Sequence, residues 1–186
     1  MIRFLNILSY LWLLSEIILM ITKRSKVKEV KKKRDRGSMI LLWIMISVGI
    51  IAGFFLANRG RWNSLNYYIY VFGIFIFSVG LFIRWLSIIQ LKNAFTVDVA
   101  INQIHELKTD GLYKIVRHPS YLGMMLIVSG LSIGMNSFFS FLVMCVPVFF
   151  AVSYRIYVEE AVLTEEFGEI YKEYAKTTKR IVPFLY

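Results

Sequence analysis

"GLYKIVRHPSYLG", residues 111–123, sets Lys114, Arg117 and His118 before Pro119 and a run of Met, Leu, Ile and Val. Proline disfavours helical backbone in the residue before it and suits the first turn of a helix. The stretch therefore predicts a helix that begins at Pro119, with His118 at its N-terminus. Backbone N–H groups and the helix dipole favour anions there, which makes this corner a candidate binding site. The alternative interpretation is that Arg117 and His118 only mark the level of the lipid headgroups.

The composition around this corner is too apolar for an ordinary soluble domain. Of the 186 residues, 58% are hydrophobic, and the mean hydropathy is +0.61. Such values predict an integral membrane protein. The net charge of +10 does not change this class, because no basic and aromatic pattern typical of a nucleic-acid surface accompanies it. We predict neither a nucleic-acid partner nor a metal site.

Five apolar segments predict the architecture, and they cover residues 2–21, 39–57, 67–91, 121–135 and 138–158. A membrane-spanning helix needs about 20 residues, so the first three segments and the fifth are long enough. The fourth is short, and it either gains a turn at its start or pairs with the fifth as a tight hairpin across Asn136 and Ser137. We therefore predict an all-α integral membrane fold of about five transmembrane helices.

The same segments predict one domain over residues 1–186. Residues 1–91 hold three spans with a basic loop at 22–38, and residues 92–186 hold a polar loop, the helical hairpin and a tail. Nine of the 22 basic residues lie between Lys23 and Arg36. Such a block is typical of a cytoplasmic loop that contacts anionic lipid headgroups. The N-terminus is then outside, and the loop before Pro119 and the tail from Glu159 both face the cytosol.

Several charged residues within the apolar segments need an explanation. Arg155 and Glu159 are four residues apart, so they share one face of a helix, and an interfacial ion pair is one interpretation. Arg84 is near the cytoplasmic end of the third span, where we expect it to reach the interface by snorkelling. Glu16 is expected to pair with a basic neighbour near the end of the first span.

Weaker signals come from the loop and from glycines. Residues 96–101 alternate in polarity, which predicts a short extended piece. Gly130 and Gly134 are spaced as in a close helix-packing face. In the amphipathic tail, Gly168 is a candidate break between two helices.

Two motifs taken together resemble a known family. "GLYKIVRHPSYLG" is followed by "YRIYVEEAVLTEEFGEIYKEYAKTTKRIVPF" at residues 154–184. The isoprenylcysteine carboxyl methyltransferase family shares the blocks G-x-Y-x-x-x-R-H-P-x-Y-x-G, R-x-x-x-E-E-x-x-L and F-G-x-x-Y-x-x-Y. Every fixed position of these blocks is present, whereas the I-P ending of the family reads Ile181-Val182-Pro183 here. The resemblance covers residues 95–184.

The resemblance implies a membrane methyltransferase that uses S-adenosyl-L-methionine, held by the cytosolic loop and the C-terminal helix. It implies that Arg155 faces the substrate in the catalytic site. The residues that it implies for cofactor binding are His105, Glu106, Leu107, Lys108, Tyr113, His118, Pro119, Ser120, Tyr121 and Glu159. The methyl acceptor would be a lipophilic or lipid-anchored molecule reached from the bilayer, above all the carboxylate of a prenylcysteine-type C-terminus.

The implied chemistry is consistent with these residue types. A carboxylate acceptor is already ionised and needs no general base, but it needs a clamp, and a guanidinium matches a carboxylate. Other acceptors stay open: a phospholipid amine or another hydrophobic molecule would have to lose a proton, and only Glu160 or His105 stands out as a base. Two further classes stay open, an NADPH-dependent membrane reductase and a membrane protein without enzymatic activity.

Overall fold

A computed structural model describes residues 2–22, 32–57, 59, 66–91 and 107–182. These residues form helices and no named strand, which confirms the all-α prediction. The helices are α1 (Ile2–Thr22), α2 (Lys32–Leu56), α3 (Asn66–Leu91), α4 (Pro119–Gly134), α5 (Phe138–Phe167) and α6 (Glu169–Thr177). A short 3-10 turn, Gly111–Lys114, precedes α4. The predicted extended piece at 96–101 lies outside the described residues.

Within the described part of the chain, four helices are long and apolar enough to cross a membrane. Their apolar stretches are Arg3–Thr22, Gly37–Leu56, Tyr67–Leu91 and Phe138–Phe167. Helix α4 is apolar but shorter, as expected from the sequence. Large apolar side chains such as Phe75, Phe82 and Phe150 are exposed on the outer faces, which is the surface that a bilayer would cover. The number of spans stays a prediction.

Helices α2 and α5 both extend beyond their apolar segments. Helix α2 begins at Lys32, inside the segment predicted as a basic loop, and α5 continues to Phe167 rather than ending at Val158. Lys, Arg, Glu, Ala and Leu are good helix formers, so the helices continue where the hydropathy falls. The predicted break is confirmed, because Gly168 separates α5 from α6 with a φ of +54°.

Helices α3 and α4 pack closely along their lengths because glycines face each other across the interface. A Cβ atom on Gly73 would lie 2.4 Å from the backbone nitrogen of Gly134. One on Gly80 would lie 2.7 Å from the carbonyl oxygen of Gly123. Close backbone contact of this kind is how membrane helices associate when no hydrophobic driving force acts between them.

The turn between α4 and α5 is the predicted tight hairpin. Asn136 adopts a φ of +51°, and Ser137 caps α5 by accepting a hydrogen bond from the backbone nitrogen of Ser140. The Ser137 hydroxyl also donates to the carbonyl of Leu56, at 3.2 Å, and the Ser140 hydroxyl donates to that of Gly53, at 2.8 Å. These bonds tie the hairpin to α2.

Successive helices run in alternating directions, so polar segments meet at one end of the bundle. Helix α3 is antiparallel to α4, since Gly73 faces Gly134 while Gly80 faces Gly123. Helix α2 is antiparallel to α5, since Ser38 contacts Arg155 while Gly53 contacts Ser140. The start of α4 and the distal half of α5 therefore lie at the same end, next to the tail that follows α6.

Gly130→Ala tests the α3–α4 contact, because a Cβ atom there would lie 2.4 Å from the backbone nitrogen of Phe77. Neither backbone can yield locally, so the helices must separate. We expect a loss of about 1–3 kcal/mol in the free energy of unfolding, the usual cost of overpacking, seen as a lower thermal midpoint in detergent. Gly37→Ala is the matched control, since a Cβ there meets nothing within 4 Å. Equal midpoints for both variants would contradict the close packing.

Candidate active site

The corner before α4 is fixed by the C-terminal tail. His118 is the N-cap of α4 and Pro119 is in its first turn, as predicted. The backbone nitrogens of Arg117 and His118 donate to the carbonyls of Lys179 and Arg180, at 2.7 and 2.9 Å. An isolated parallel bridge joins Val116 to Lys179. The loop and the tail, which lie far apart in sequence, therefore form one structural unit.

Glu160 connects this unit to α5. Its carboxylate accepts hydrogen bonds from Nε of Arg117 and Nε of Arg180, each at 2.9 Å. His118 Nε2 lies 3.3 Å from the same carboxylate, and the Arg117 guanidinium also donates to the carbonyls of Ala175 and Thr178. Glu160 thus neutralises cationic groups from the loop and the tail. The sequence signalled none of these pairings.

Tyr121, Glu159 and Arg155 form a second chain of contacts beside His118. The Tyr121 hydroxyl donates to Glu159 Oε2 at 2.8 Å and accepts from Arg155 Nε at 3.1 Å. Arg155 Nη1 donates to the hydroxyl of Ser38 at 2.9 Å. His118 Nδ1 lies 3.9 Å from Glu159 Oε2. The predicted residues on α4 and α5 are therefore brought together, and Ser38 is a contact that sequence reasoning missed.

This second chain of contacts is partly buried: Tyr121 and Glu159 are half-buried and Arg155 is buried. Arg155 is 3% exposed and His118 is 4% exposed, whereas the side chain of Glu159 is 26% exposed. Charged groups interact more strongly when water is excluded around them. Glu159 is therefore more accessible than Arg155 or His118.

Arg84 differs from its predicted role, whereas the predicted pairing of Glu16 with a basic residue is confirmed. Arg84 does not snorkel to the interface: it is 6% exposed and its guanidinium forms a bidentate ion pair with Glu16, which is 2% exposed. Trp12 Nε1 also donates to Glu16, at 3.0 Å. Arg84 Nη1 continues to the hydroxyl of Ser120, at 2.8 Å. The snorkelling prediction for Arg84 is wrong because its guanidinium pairs with Glu16 of another helix inside the bundle.

Tyr113 joins the 3-10 turn before α4 to α3 and to α6. Its hydroxyl lies 3.4 Å from the carbonyl of Ser87 on α3, and its own carbonyl accepts from the Tyr174 hydroxyl at 2.5 Å. Burial raises the pKa of Tyr113 and raises that of Tyr174 to about 12. Both phenols therefore stay protonated at neutral pH and act as donors. The nearby hydroxyl of Tyr171 is buried without a hydrogen-bond partner in the described part of the chain.

Of the four upstream residues implied by the resemblance, the structure describes Leu107 and Lys108. His105 and Glu106 lie outside the described residues. Lys108 pairs with the exposed Asp110 at 2.6 Å. Among the described contacts, none links Leu107 or Lys108 to Glu159 or to His118.

Apolar helices long enough to cross a bilayer, with a charged and largely buried site at one end of the bundle, define an integral membrane protein of several helices. The model of the phospholipid methyltransferase family matches residues 68–170, more than half of the chain. The chain belongs to this family. The matched segment contains the start of α4, Arg155, Glu159 and Glu160.

Curated relatives carry the name protein-S-isoprenylcysteine O-methyltransferase. One from Schizosaccharomyces pombe is 34% identical over 58% of this chain and 46% of its own length. Enzymes A and B of Arabidopsis thaliana are 35% and 32% identical, over 61% and 71% of this chain and 59% and 66% of theirs. The chain thus spans between 46% and 66% of these relatives. They confirm the resemblance drawn from the sequence.

A solved structure has the same fold. The eukaryotic intramembrane Ras methyltransferase, an isoprenylcysteine carboxyl methyltransferase, aligns with a TM-score of 0.59 at 21% identity. The alignment covers 86% of this chain and 55% of that one. At this identity the likeness concerns the fold.

Glu160→Gln tests the joint between the loop, α5 and the tail. The neutral amide leaves Arg117 and Arg180 without their shared carboxylate, so we expect a loss of about 2–3 kcal/mol in unfolding free energy. Hydrogen exchange should also become faster over residues 171–182. The control is Glu169→Gln, whose side chain is 79% exposed and pairs with Lys172, a surface ion pair that contributes little to stability. Unchanged exchange in Glu160→Gln would show that other contacts hold the tail.

Proposed function

We propose that the chain transfers a methyl group from S-adenosyl-L-methionine to the carboxylate of a prenylated, membrane-bound cysteine. The observation that carries the proposal is the contact chain Arg155–Tyr121–Glu159 beside His118. It places a guanidinium, a reachable carboxylate and a helix N-terminus together at one end of an apolar bundle. Family membership and relatives at 32–35% identity support it.

The donor and acceptor groups at this end fit the cofactor. S-adenosyl-L-methionine carries a carboxylate, an ammonium group, ribose hydroxyls and a cationic sulfonium. The N-terminal turn of α4 suits an anion, and Glu159 suits a cation or a hydroxyl. The Tyr171 hydroxyl, buried and unpaired in the described residues, is an additional donor near these groups. We propose that the cofactor contacts Tyr113, His118, Pro119, Ser120, Tyr121 and Glu159, with residues 105–108 as a further wall.

Arg155 is the group that we assign to the methyl acceptor. Its bonds to Tyr121 and Ser38 fix the plane of the guanidinium, and a fixed guanidinium binds a carboxylate with defined orientation. When bound, the cofactor supplies an electrophilic methyl group. The chain's contribution is to hold the acceptor oxygen in line with that group and to exclude water, which together lower a barrier by about 7–11 kcal/mol in favourable cases.

An apolar groove in the helix bundle supports a lipophilic acceptor. The groove lies between α4 and α5, has a volume of about 390 Å³, and is lined by Met125, Val128, Phe149 and Phe150 among others. Val148 also lines the groove and precedes Arg155 by seven residues, about 10.5 Å along the axis of α5 and on the same helix face. An acceptor whose hydrocarbon chain lies among these side chains would present its polar end near Arg155.

A phospholipid amine is the competing acceptor, because the family model carries that name. An ammonium group must lose a proton before it attacks, which requires a base. The sequence offers Glu160 or His105 as that base. Glu160 is already shared by Arg117, His118 and Arg180, and His105 lies outside the described residues. A carboxylate acceptor requires no such group, so the geometry favours the carboxylate.

The orientation in the membrane follows from the same proposal. The start of α2 lies at the end of the bundle that holds the site, because Ser38 contacts Arg155 there. In the sequence, the basic residues 23–36 lie before and within this start of α2. By the positive-inside rule this end faces the cytosol and contacts anionic headgroups. A lipid-anchored acceptor would then enter from the cytosolic leaflet, and the N-terminus would lie outside.

Calorimetric titration of the purified protein with S-adenosylhomocysteine tests the cofactor assignment. We expect micromolar binding, about tenfold or more weaker in His118→Ala and in Glu159→Gln, since each removes a proposed contact to the nucleoside. Glu169→Gln, an exposed carboxylate on α6, should bind as the wild type does. Binding of NADPH instead of S-adenosylhomocysteine would contradict the proposal in favour of a reductase, and binding of neither would favour a non-enzymatic protein.

Arg155→Ala separates acceptor binding from cofactor binding. Loss of the guanidinium should lower methyl transfer by about a hundredfold, a typical effect of removing a donor that faces developing or fixed charge. Affinity for S-adenosylhomocysteine should change by less than about threefold. The comparison requires transfer rates and calorimetry on the same preparation. Equal losses in both measurements would remove Arg155 from the acceptor side of the site.

A further inference from the structure

Glu16 and Arg84 form an ion pair deep in the bundle, outside the cluster described above. Their side chains are 3% and 7% exposed, and both Nε and Nη2 of Arg84 donate to the carboxylate. Trp12 donates to the same carboxylate from one turn earlier on α1. The pair joins α1 to α3 within the helices that we assign to the membrane.

Stability is a poor explanation for this pair. Two charges lose their hydration when they are buried, and an apolar pair of similar volume commonly stabilises a fold as well or better. A buried ion pair in a membrane segment therefore calls for a role that depends on its position. The contacts of Arg84 indicate this role, because its guanidinium also binds a residue of α4.

The remaining nitrogen of Arg84 reaches the first turn of α4. Nη1 donates to the hydroxyl of Ser120 at 2.8 Å and lies 3.3 Å from the Ser120 carbonyl. A serine hydroxyl that accepts a bond with its oxygen directs its own proton elsewhere. Ser120 stands between His118 and Tyr121, so that proton becomes a donor at the end of α4 where those two side chains lie.

We propose that Glu16 and Arg84 are positioning residues that orient the Ser120 hydroxyl as a hydrogen-bond donor to the nucleoside cofactor. The proposal rests on the proposed function, because Ser120 is assigned to the cofactor there. Glu16 holds the guanidinium in place through two of its nitrogens, and the third nitrogen holds Ser120. The first helix then contributes to cofactor affinity without touching the cofactor.

Lysine is not equivalent to arginine in this arrangement. A lysine ammonium is a single point of charge on a flexible stem, whereas the guanidinium is a planar fork whose nitrogens have fixed relative positions. Arg84→Lys preserves the charge that Glu16 requires but cannot satisfy the carboxylate and Ser120 together. The substitution therefore isolates the orienting role from charge neutralisation.

A double-mutant cycle on S-adenosylhomocysteine affinity tests the proposal. Arg84→Lys and Ser120→Ala should each weaken binding by about tenfold. The double variant should be no weaker than either single variant, because Arg84 acts through the Ser120 hydroxyl. In transfer assays, Arg84→Lys should raise the KM for S-adenosyl-L-methionine while kcat changes by less than about twofold. Additive losses of affinity would overturn the proposal.

A double variant that lacks both charges controls for a folding defect. Replacing both charges, as Glu16→Gln with Arg84→Gln, leaves no unpaired buried charge and removes the guanidinium from Ser120. This variant should keep the thermal midpoint and show the weakened affinity, and wild-type affinity in it would overturn the proposal. Arg59→Lys is the matched control at the other end of the bundle, where the guanidinium lies 5.3 Å from the Phe55 ring.

The outcomes also separate this proposal from the proposed function. Wild-type protein that binds S-adenosylhomocysteine, combined with an additive cycle, overturns only the role of Glu16 and Arg84. Wild-type protein that does not bind the nucleoside overturns both.

Discussion

One carboxylate, that of Glu160, holds together the segments from which the site is built. Helix α5 supplies the carboxylate, the loop before α4 supplies Arg117 and His118, and the tail after α6 supplies Arg180. The backbone bonds from Arg117 and His118 to the tail join the same two segments. Because the partners come from positions far apart in sequence, the site exists only in the folded chain.

The first turn of α4 is where three independent sets of contacts converge. Glu160 and the tail fix His118, Glu16 and Arg84 hold Ser120, and Arg155 and Glu159 hold Tyr121. Close packing of glycines keeps α4 against α3, so the turn cannot move away from these partners. A preorganised turn of this kind suits methyl transfer, in which catalysis consists mainly of holding two reactants in line.

The sequence predicts the features that depend on local chemistry. Pro119 placed His118 at a helix N-terminus, Gly168 marked the break before α6, and Asn136-Ser137 marked the hairpin. The first two follow from a residue's own backbone preference, and the hairpin was one of two alternatives for the short fourth segment. The structure shows all three features. The spacing of Arg155 and Glu159 on one helix face was also readable, although the Tyr121 hydroxyl that lies between them was not.

The remaining features depend on pairings across the fold. Glu16 and Arg84 are 68 positions apart, and nothing in the sequence distinguishes Arg84 from a residue that snorkels. Ser38 was predicted to be the last residue of a loop. Hydropathy locates only the apolar part of a helix, and it misses the polar helical turns that precede this part. The extension of α5 to Phe167 was missed for the same reason. Only the resemblance to a family pointed to the start of α4 and Glu159 as parts of one site.

The most direct test of the account is a methyl-transfer assay with radiolabelled S-adenosyl-L-methionine and three acceptors in detergent micelles. The acceptors are an S-farnesylated cysteine with a free carboxylate, the same molecule with its carboxyl already amidated, and phosphatidylethanolamine. The account predicts label only in the first, as a methyl ester that mild base releases as methanol. Base-stable label in phosphatidylethanolamine, or label in the amidated acceptor, would contradict the assignment of a carboxylate acceptor to this site.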